Sequence, residues 1–285
     1  MNEPEIVTAK EADVRAMAHR RYDDETSQRL YMALAQNAPR GAWVARDEGT
    51  PVAIAFAHEL ESEWFVSELF VEPSFRGTRL GWKLLRSATN ESGDVSFGGV
   101  IDASEVGSLT FFLRRGMGLH MPLLRIAGAI PKEDDLLPTA AGDYRFETLA
   151  IDPSRHSALL AGLDREVRGS ARPLDHELFA QSAAGTLFSV DGDVVAYAYV
   201  WPDGRIGPMA AASQAYVQQL FGFALVALRR TYGASWCHAL VPGANVRVMR
   251  SAVRLGLDIQ SVFVFASDLQ HADFSRYIGF HQLAY

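Results

Sequence analysis
The sequence predicts an α/β protein in which one order of strands and helices occurs twice. Three observations carry that prediction. The run of elements read up to residue 130 returns, in the same order, after residue 143. The segment between them, Pro131-Lys-Glu-Asp-Asp-Leu-Leu-Pro-Thr-Ala-Ala-Gly142, has two prolines, an acidic run and a closing glycine, the make-up of a linker. Each half also carries a strand followed by an amphipathic helix with apolar residues at helical spacing. The predicted division is a domain over 1–130, a linker over 131–142 and a domain over 143–285.

Composition sets the outer bounds. A chain of 285 residues is comfortable for two domains, and 48% hydrophobic with 21% charged residues is globular usage. No run approaches the ~18 apolar residues of a membrane span, so no membrane partner is expected. Met1-Asn-Glu-Pro-Glu5 lacks the basic start of a secretory signal. The single cysteine, Cys237, has no internal disulfide partner, which suits a reducing cytoplasm and leaves the Asn90-Glu-Ser92 sequon without meaning. A net charge of −7 argues against a nucleic-acid partner and leaves a cationic substrate open.

In the first half, Glu5-Ile-Val-Thr8 reads as extended, and helical stretches follow from Glu11 and from Asp24 to Gln36. Ala42–Arg46 and Val52–Phe56 alternate as a hairpin around Glu48-Gly-Thr50. The apolar run Trp64-Phe-Val-Ser-Glu-Leu-Phe-Val71 is the next strand, broken at Pro73. A helix follows, with apolar residues at 80, 84, 85 and 88. Strand Gly99–Asp102, a helix over 104–115 stopped by Gly116, and strand Leu123–Ile130 complete the half.

The second half repeats this order. Strand Tyr144–Leu149 leads to helical segments over 155–183, then to a hairpin of Thr186–Val190 and Val194–Val200 around Asp191-Gly-Asp193. Strand Arg205–Met209 precedes a helix with the stripe Val217, Leu220, Phe221, Ala224, Leu225 and Leu228. Strand Trp236–Leu240, a helix over 244–255 ended by Gly256, and strand Gln260–Ala266 follow. Tyr197, Tyr199 and Trp201 read as sheet or core aromatics. The aromatic-rich tail from Asp268 to Tyr285 reads as packed rather than dangling.

One segment points to chemistry. Strand 64–71 passes through Arg76-Gly-Thr-Arg-Leu-Gly81 into an amphipathic helix, which aims backbone N–H groups and a helix N-terminus at one point. A diphosphate suits such a nest. Arg76, Arg79, Lys83 and Arg86 stand at spacings of three, four and three, one basic helix face in an acidic protein. The three-glycine dinucleotide fingerprint and the Gly-Lys-Ser/Thr of the Walker loop are both absent from this segment.

The segment resembles the acyl-CoA pyrophosphate loop of the GNAT superfamily of N-acetyltransferases, Gln/Arg-x-x-Gly-x-Gly/Ala after a strand reading Leu-x-Val. Arg76 and Gly81 take the first and last places, Leu69 and Val71 supply the strand, and Arg79 stands where the middle glycine would be. A non-glycine there is tolerable if the backbone is already helical, where φ is negative and no left-handed conformation is required. The resemblance implies two tandem GNAT-like domains, each a mixed, mostly antiparallel sheet flanked by helices. It implies acetyl-CoA as cosubstrate, held by Leu69, Phe70, Val71, Arg76, Gly77, Thr78, Arg79, Leu80, Gly81 and Trp82, with no metal. It also implies two parallel strands splayed apart, with the backbone N–H of Phe70 or Val71 facing the acyl oxygen. The matching turn of the second half, Ala210-Ala-Ala-Ser-Gln214, lacks the Arg-x-x-x-x-Gly pattern, so the second domain is expected to be a degenerate copy.

Acetyl transfer to an amine needs a base, because an aliphatic ammonium has a pKa near ~10.4. Glu68, just before the loop, is the first candidate; Glu59 and Glu61 are rivals, and the terminal carboxylate of Tyr285 is a further one by likeness to some tandem relatives. The tyrosine that protonates the departing sulfur in many relatives is replaced by Phe112, and the asparagine seven residues earlier by Glu105. In the second half Asn245 matches the asparagine while the tyrosine place is Ala252. Tyr31 and Tyr285 carry the hydroxyls that could substitute. The eight histidines lack metal-ligand spacing and no Gly-x-Ser-x-Gly elbow occurs. The reading is an N-acetyltransferase acting on a small-molecule or protein amine, with a homodimer left open. The alternatives are a non-catalytic acyl-CoA binder, suggested by Phe112 and Ala252, and an interaction scaffold, suggested by Arg79.

Overall fold
The computed structural model describes residues 3–61, 63–89, 96–132, 136, 144–269 and 273–284. Most of the expected linker, the Asn90 sequon and Tyr285 lie outside them. Two compact units are present: Met1–Val100 with Ser267–Leu269 and Ala284, and Ile101–Ala266 with Gln270–Leu283.

The first unit holds β1 (Glu5–Thr8), α1 (Glu11–Arg21), α2 (Glu25–Asn37), β2 (Trp43–Asp47), β3 (Thr50–Glu59), β4 (Trp64–Val71), α3 (Leu80–Ala88) and the start of β5 (Phe97–Asp102). The strands lie in the order β1-β2-β3-β4-β5, antiparallel except for the β4–β5 pair. Asp24 starts α2 by accepting a bond from the Ser27 N–H at 2.7 Å, the usual service of an aspartate cap. On one face of the sheet Leu80, Leu84 and Ala88 of α3 pack against Ala45, Val52, Ala53 and Ala55. The alanines of β2 and β3 keep that face low enough for the helix to seat closely. On β3 Phe56 meets the ring of Tyr31 edge-on, centroids 5.0 Å apart.

The second unit contains α4 (Val106–Leu113), β6 (Gly118–Ala129), β7 (Glu147–Ala150), α5 (Pro153–Arg168), α6 (Pro173–Ala180), β8 (Ala184–Val190), β9 (Asp193–Val200), β10 (Arg205–Ala211), α7 (Gln214–Tyr232), β11 (Trp236–Pro242), α8 (Val246–Arg254), most of β12 (Asp258–Ser267) and the short β13 (Tyr277–Ile278). Its strand order is β12-β6-β11-β10-β9-β8-β7, with β13 also on β10; β10 and β11 pair in parallel, and the β6–β11, β9–β10, β8–β9, β7–β8 and β10–β13 pairs are antiparallel. Both units are thus mixed, mostly antiparallel sheets flanked by helices. The stripe expected on α7 is its buried face: Val217, Leu220, Phe221, Ala224, Leu225 and Leu228 all lie in one core cluster. Two strand starts move by three residues or more. β6 begins at Gly118 instead of Leu123, and β7 begins at Glu147 because Gln219 takes both backbone groups of Tyr144, accepting from its N–H at 3.3 Å and donating to its carbonyl at 2.7 Å.

Cys237 sits on β11 in the core of the second unit, and burial pushes its thiol up to about 12. A thiolate is the reactive form, so native protein at pH 8 should resist a thiol reagent and become labelled only as it unfolds. Prompt labelling of the native protein would show that this core opens readily.

Candidate active site
The first unit joins β4 and β5 over three parallel pairs, Trp64 with Phe97, Phe65 with Gly98 and Val66 with Gly99. Both strands run on past that junction, β4 to Val71 and β5 to Asp102, without further mutual pairing. The junction is pinned from below. The buried Glu63 accepts a bond from Ser267 Oγ at 2.9 Å, and Gly98 leaves it room: a Cβ there would lie 2.6 Å from Glu63 Oε2. Phe97 and Asp268 bond each other, Phe97 N to Asp268 Oδ1 at 3.1 Å and Asp268 N to Phe97 O at 3.1 Å. Glu63 was not singled out from sequence, where it reads as one more acidic residue before the strand.

A turn follows the strand. Pro73–Phe75 form one 3-10 turn, Arg76 Nε donates to Val71 O at 3.1 Å, and Thr78 Oγ1 donates to Phe75 O at 2.7 Å. Gly77 has φ +83° and open space where a Cβ would be. Arg79 does not meet the condition under which a non-glycine is tolerated there. Its backbone is left-handed, φ +66° and ψ 5°, at the N-cap of α3, and not helical with negative φ. The position wants the glycine that the family pattern has, and an L-residue there costs about 1–2 kcal/mol. Leu80 is buried beneath the turn, Gly81 and Trp82 are half-buried, and Arg76, Thr78, Arg79, Lys83 and Arg86 are exposed. Lys83 pairs with Glu3.

Glu68 lies on β4 opposite Phe56 and is 5% exposed. Its neighbour is Arg21 at the end of α1, with Nε 3.4 Å from Glu68 Oε2, and the same guanidinium lies 4.9 Å over the Phe70 ring. Burial raises the Glu68 pKa above the ordinary glutamate value; the Arg21 charge and bond and the Leu69 N–H pull the other way without cancelling it. Tyr31, fully buried on α2, has its own pKa raised well above the usual phenol, first by burial and then by the Glu68 charge. Its hydroxyl has no hydrogen-bond partner among the described residues. Arg21 was not singled out from sequence, where it reads as one more basic residue in the last turn of a helix.

Leu69, Phe70 and Val71 form the half-buried end of β4, each paired with β3. Glu59 and Glu61 are exposed at the β3–β4 turn, without the burial that distinguishes Glu68. In the second unit Phe112 is buried on α4, and Glu105 is exposed ahead of that helix. Asn245 caps α8 by accepting from the Val248 N–H at 3.2 Å, and Ala252 is buried.

Residues 8–117 match the family model described as the Acetyltransferase (GNAT) family. These residues form a GNAT-family domain. Solved structures extend the likeness across the chain. A candidate acetyltransferase from Pyrococcus horikoshii superposes with a TM-score of 0.73 at 12% identity, covering 100% of this chain and 96% of the other. A GCN5-related N-acetyltransferase from Sphaerobacter thermophilus gives 0.60 at 16%, covering 99% and 98%. A tandem GNAT protein from the clavulanic acid biosynthesis pathway gives 0.59 at 16%, covering 94% and 98%. At such identities the likeness establishes the fold. No curated protein matches the sequence.

The strained N-cap generates a stability prediction. Arg79→Gly relieves the left-handed strain but frees the unfolded chain, so a net gain of about 0.5 kcal/mol is expected in denaturant melts. Arg79→Ala keeps the strain and should give no gain. Equal gains from both would mean that the side chain, not the backbone, is the burden.

Proposed function
We propose that the chain is an acetyl-CoA-dependent N-acetyltransferase whose general base is Glu68. The observation that carries this reading is a buried carboxylate of raised pKa on the strand that runs into the glycine-bearing, basic loop. The loop fits a pyrophosphate: exposed Arg76 and Arg79, the N-terminus of α3, and open space at Gly77 gather at the end of β4. Leu69–Trp82, without the intervening Glu72–Phe75, would hold the cosubstrate. Bound acetyl-CoA supplies an activated thioester carbonyl.

The protein's own residues supply the rest. Glu68 takes the proton of the acceptor ammonium; its raised pKa brings it closer to neutrality, which suits a base working against a group of pKa ~10.4. The unsatisfied Tyr31 hydroxyl beside it is the natural partner for the acceptor amine, since a buried polar group left without a bond is costly. Arg21, 38% exposed at its side chain, covers the carboxylate and holds its orientation. The backbone N–H of Phe70 or Val71 would face the acyl oxygen. In sequence the place of the family's tyrosine is taken by Phe112, which has no hydroxyl, and a thiol of pKa about 8.5 departs tolerably without a proton donor. The acceptor is a small-molecule or protein amine met in the cytoplasm. The halves 1–130 and 143–285 are read as two copies of this fold, the second degenerate. A second reading, an acyl-CoA binder without turnover, draws on Phe112.

Acetyl-CoA at ~100 times its dissociation constant should stabilise the folded protein by about 2.7 kcal/mol in a thermal or denaturant melt. Arg76→Ala should weaken that binding by about tenfold and Gly81→Asp by more, through lost and repelled phosphate contacts. An absent shift in the wild type contradicts the reading.

The pH dependence has a definite sign. Glu68 must be ionised to accept a proton, so kcat/KM should fall as pH drops through a pKa above the ordinary glutamate value of about 4.3. Arg21→Ala removes a charge that lowers this pKa, so the acid limb should move upward. Glu68→Gln should lower kcat with little change in acetyl-CoA affinity and should abolish the limb. A fully active Glu68→Gln enzyme with an unchanged profile would transfer the role to Glu59 or Glu61.

A further inference from the structure
The second unit repeats the strand junction of the first, and something else lies in it. β10 and β11 pair in parallel over only Arg205 with His238 and Ile206 with Ala239. As at β4–β5, both strands then run on, to Ala211 and Pro242. Here the gap is filled by the chain itself. β13 pairs antiparallel with β10, Ile278 opposite Met209 and Tyr277 opposite Ala210, and Gly279 bridges to Leu240 of β11, donating its N–H to the Leu240 carbonyl at 2.8 Å.

We propose that the C-terminal segment 273–284 is a built-in occupant of the second unit's strand gap, so that the chain has a single acyl-CoA site, in the first unit. The inference rests on the acetyl-CoA reading for where the ligand would otherwise go. The segment is fastened along its length. Arg172 Nη1 donates to the Tyr277 hydroxyl at 3.0 Å, and Asn245 Nδ2 donates to the Tyr277 carbonyl at 3.0 Å. Phe280 stacks on Trp201 with centroids 4.6 Å apart, and Tyr277, Ile278 and Phe280 are buried. Close approach is built into β10: a Cβ at Gly207 would collide with the Gly279 carbonyl.

The end of the gap where phosphates would sit is taken as well. Gln214, the first residue of α7, donates to Ser275 Oγ, and Arg276 Nη1 donates to the Ala212 carbonyl at 2.5 Å and pairs with Glu166 at 2.6 Å. The Ser213 hydroxyl accepts from the Ala215 N–H at 3.2 Å. No arginine or lysine stands in the first turn of α7, in contrast to the basic face of α3. The base is missing too. Glu68 pairs with Phe56 beside the register shift of β3–β4, and the residue that pairs beside the corresponding shift of β9–β10 is Met209, opposite Ala198.

Two measurements on the full chain decide the matter: acetyl-CoA stoichiometry by calorimetry, and amide exchange of segment 273–284 with and without saturating acetyl-CoA. One equivalent bound, lost in Gly81→Asp, with the Gly279 amide strongly protected in both states, supports the proposal. Two equivalents, or Gly279 exchange that accelerates when acetyl-CoA binds, overturns it while leaving the acetyl-CoA reading standing. If no acetyl-CoA binds, that reading fails, and the exchange data alone judge the tail: protection at Gly279 supports a fixed occupant, exchange at the rate of a free peptide overturns one.

Discussion
The short parallel ladder between β4 and β5 is the constraint on which the first unit depends. Parallel strands pair efficiently only while they stay in register, and here the register lasts from Trp64–Phe97 to Val66–Gly99. Glu63 fixes where it starts, because its buried carboxylate fits against Gly98 and is held by Ser267. Where pairing stops, β4 is still in the sheet through β3, so Glu68–Val71 stay rigid while their other edge parts from β5. A rigid strand that ends in a phosphate-type turn can place a carboxylate and backbone groups at fixed positions relative to a ligand.

Electrostatics at Glu68 are balanced between burial and Arg21. An isolated buried carboxylate would take up a proton, and one fully matched by a bidentate arginine would be held too acidic to act as a base. The single contact of 3.4 Å lies between those extremes, and the net direction is upward. The neighbouring Tyr31 hydroxyl adds an unsatisfied polar group to the same place. The second unit treats its buried polar groups differently. Asp164 accepts from Tyr197 at 2.6 Å and contacts His176 Nε2 at 3.0 Å, and His176 Nδ1 contacts the Tyr199 hydroxyl at 3.0 Å, a closed network with its members spent on each other.

Much of this was legible in the sequence because it is local. The strand Trp64–Val71 has the boundaries that its β-prone run implied, and α3 shows the apolar spacing of Leu80, Leu84, Leu85 and Ala88. Glu68 could be nominated from its place before the loop. Its burial could not, since that depends on Phe56, Tyr31 and Arg21 converging from three other elements. Arg79 was legible as a departure from the family pattern, yet residue type alone does not reveal the sign of φ. The pairing of β13 with β10 joins residues far apart in the chain through two strand residues, too few to carry an alternating pattern. The partners of β6, likewise, are set by tertiary packing: its ladder with β11 covers Leu123–Ala129, and the added residues 118–122 lie outside that ladder on a strand whose other neighbour is β12.

On the proposed function, acyl-CoA sits in the first unit's strand gap and loop, with Glu68 facing the reacting end. A crystal structure of the full chain grown with coenzyme A tests it most directly. The expected result is pyrophosphate density at residues 76–81, the pantetheine arm along Leu69–Val71, and β13 still paired with β10. Density for the ligand between β10 and β11, with Tyr277 and Ile278 displaced, would contradict it.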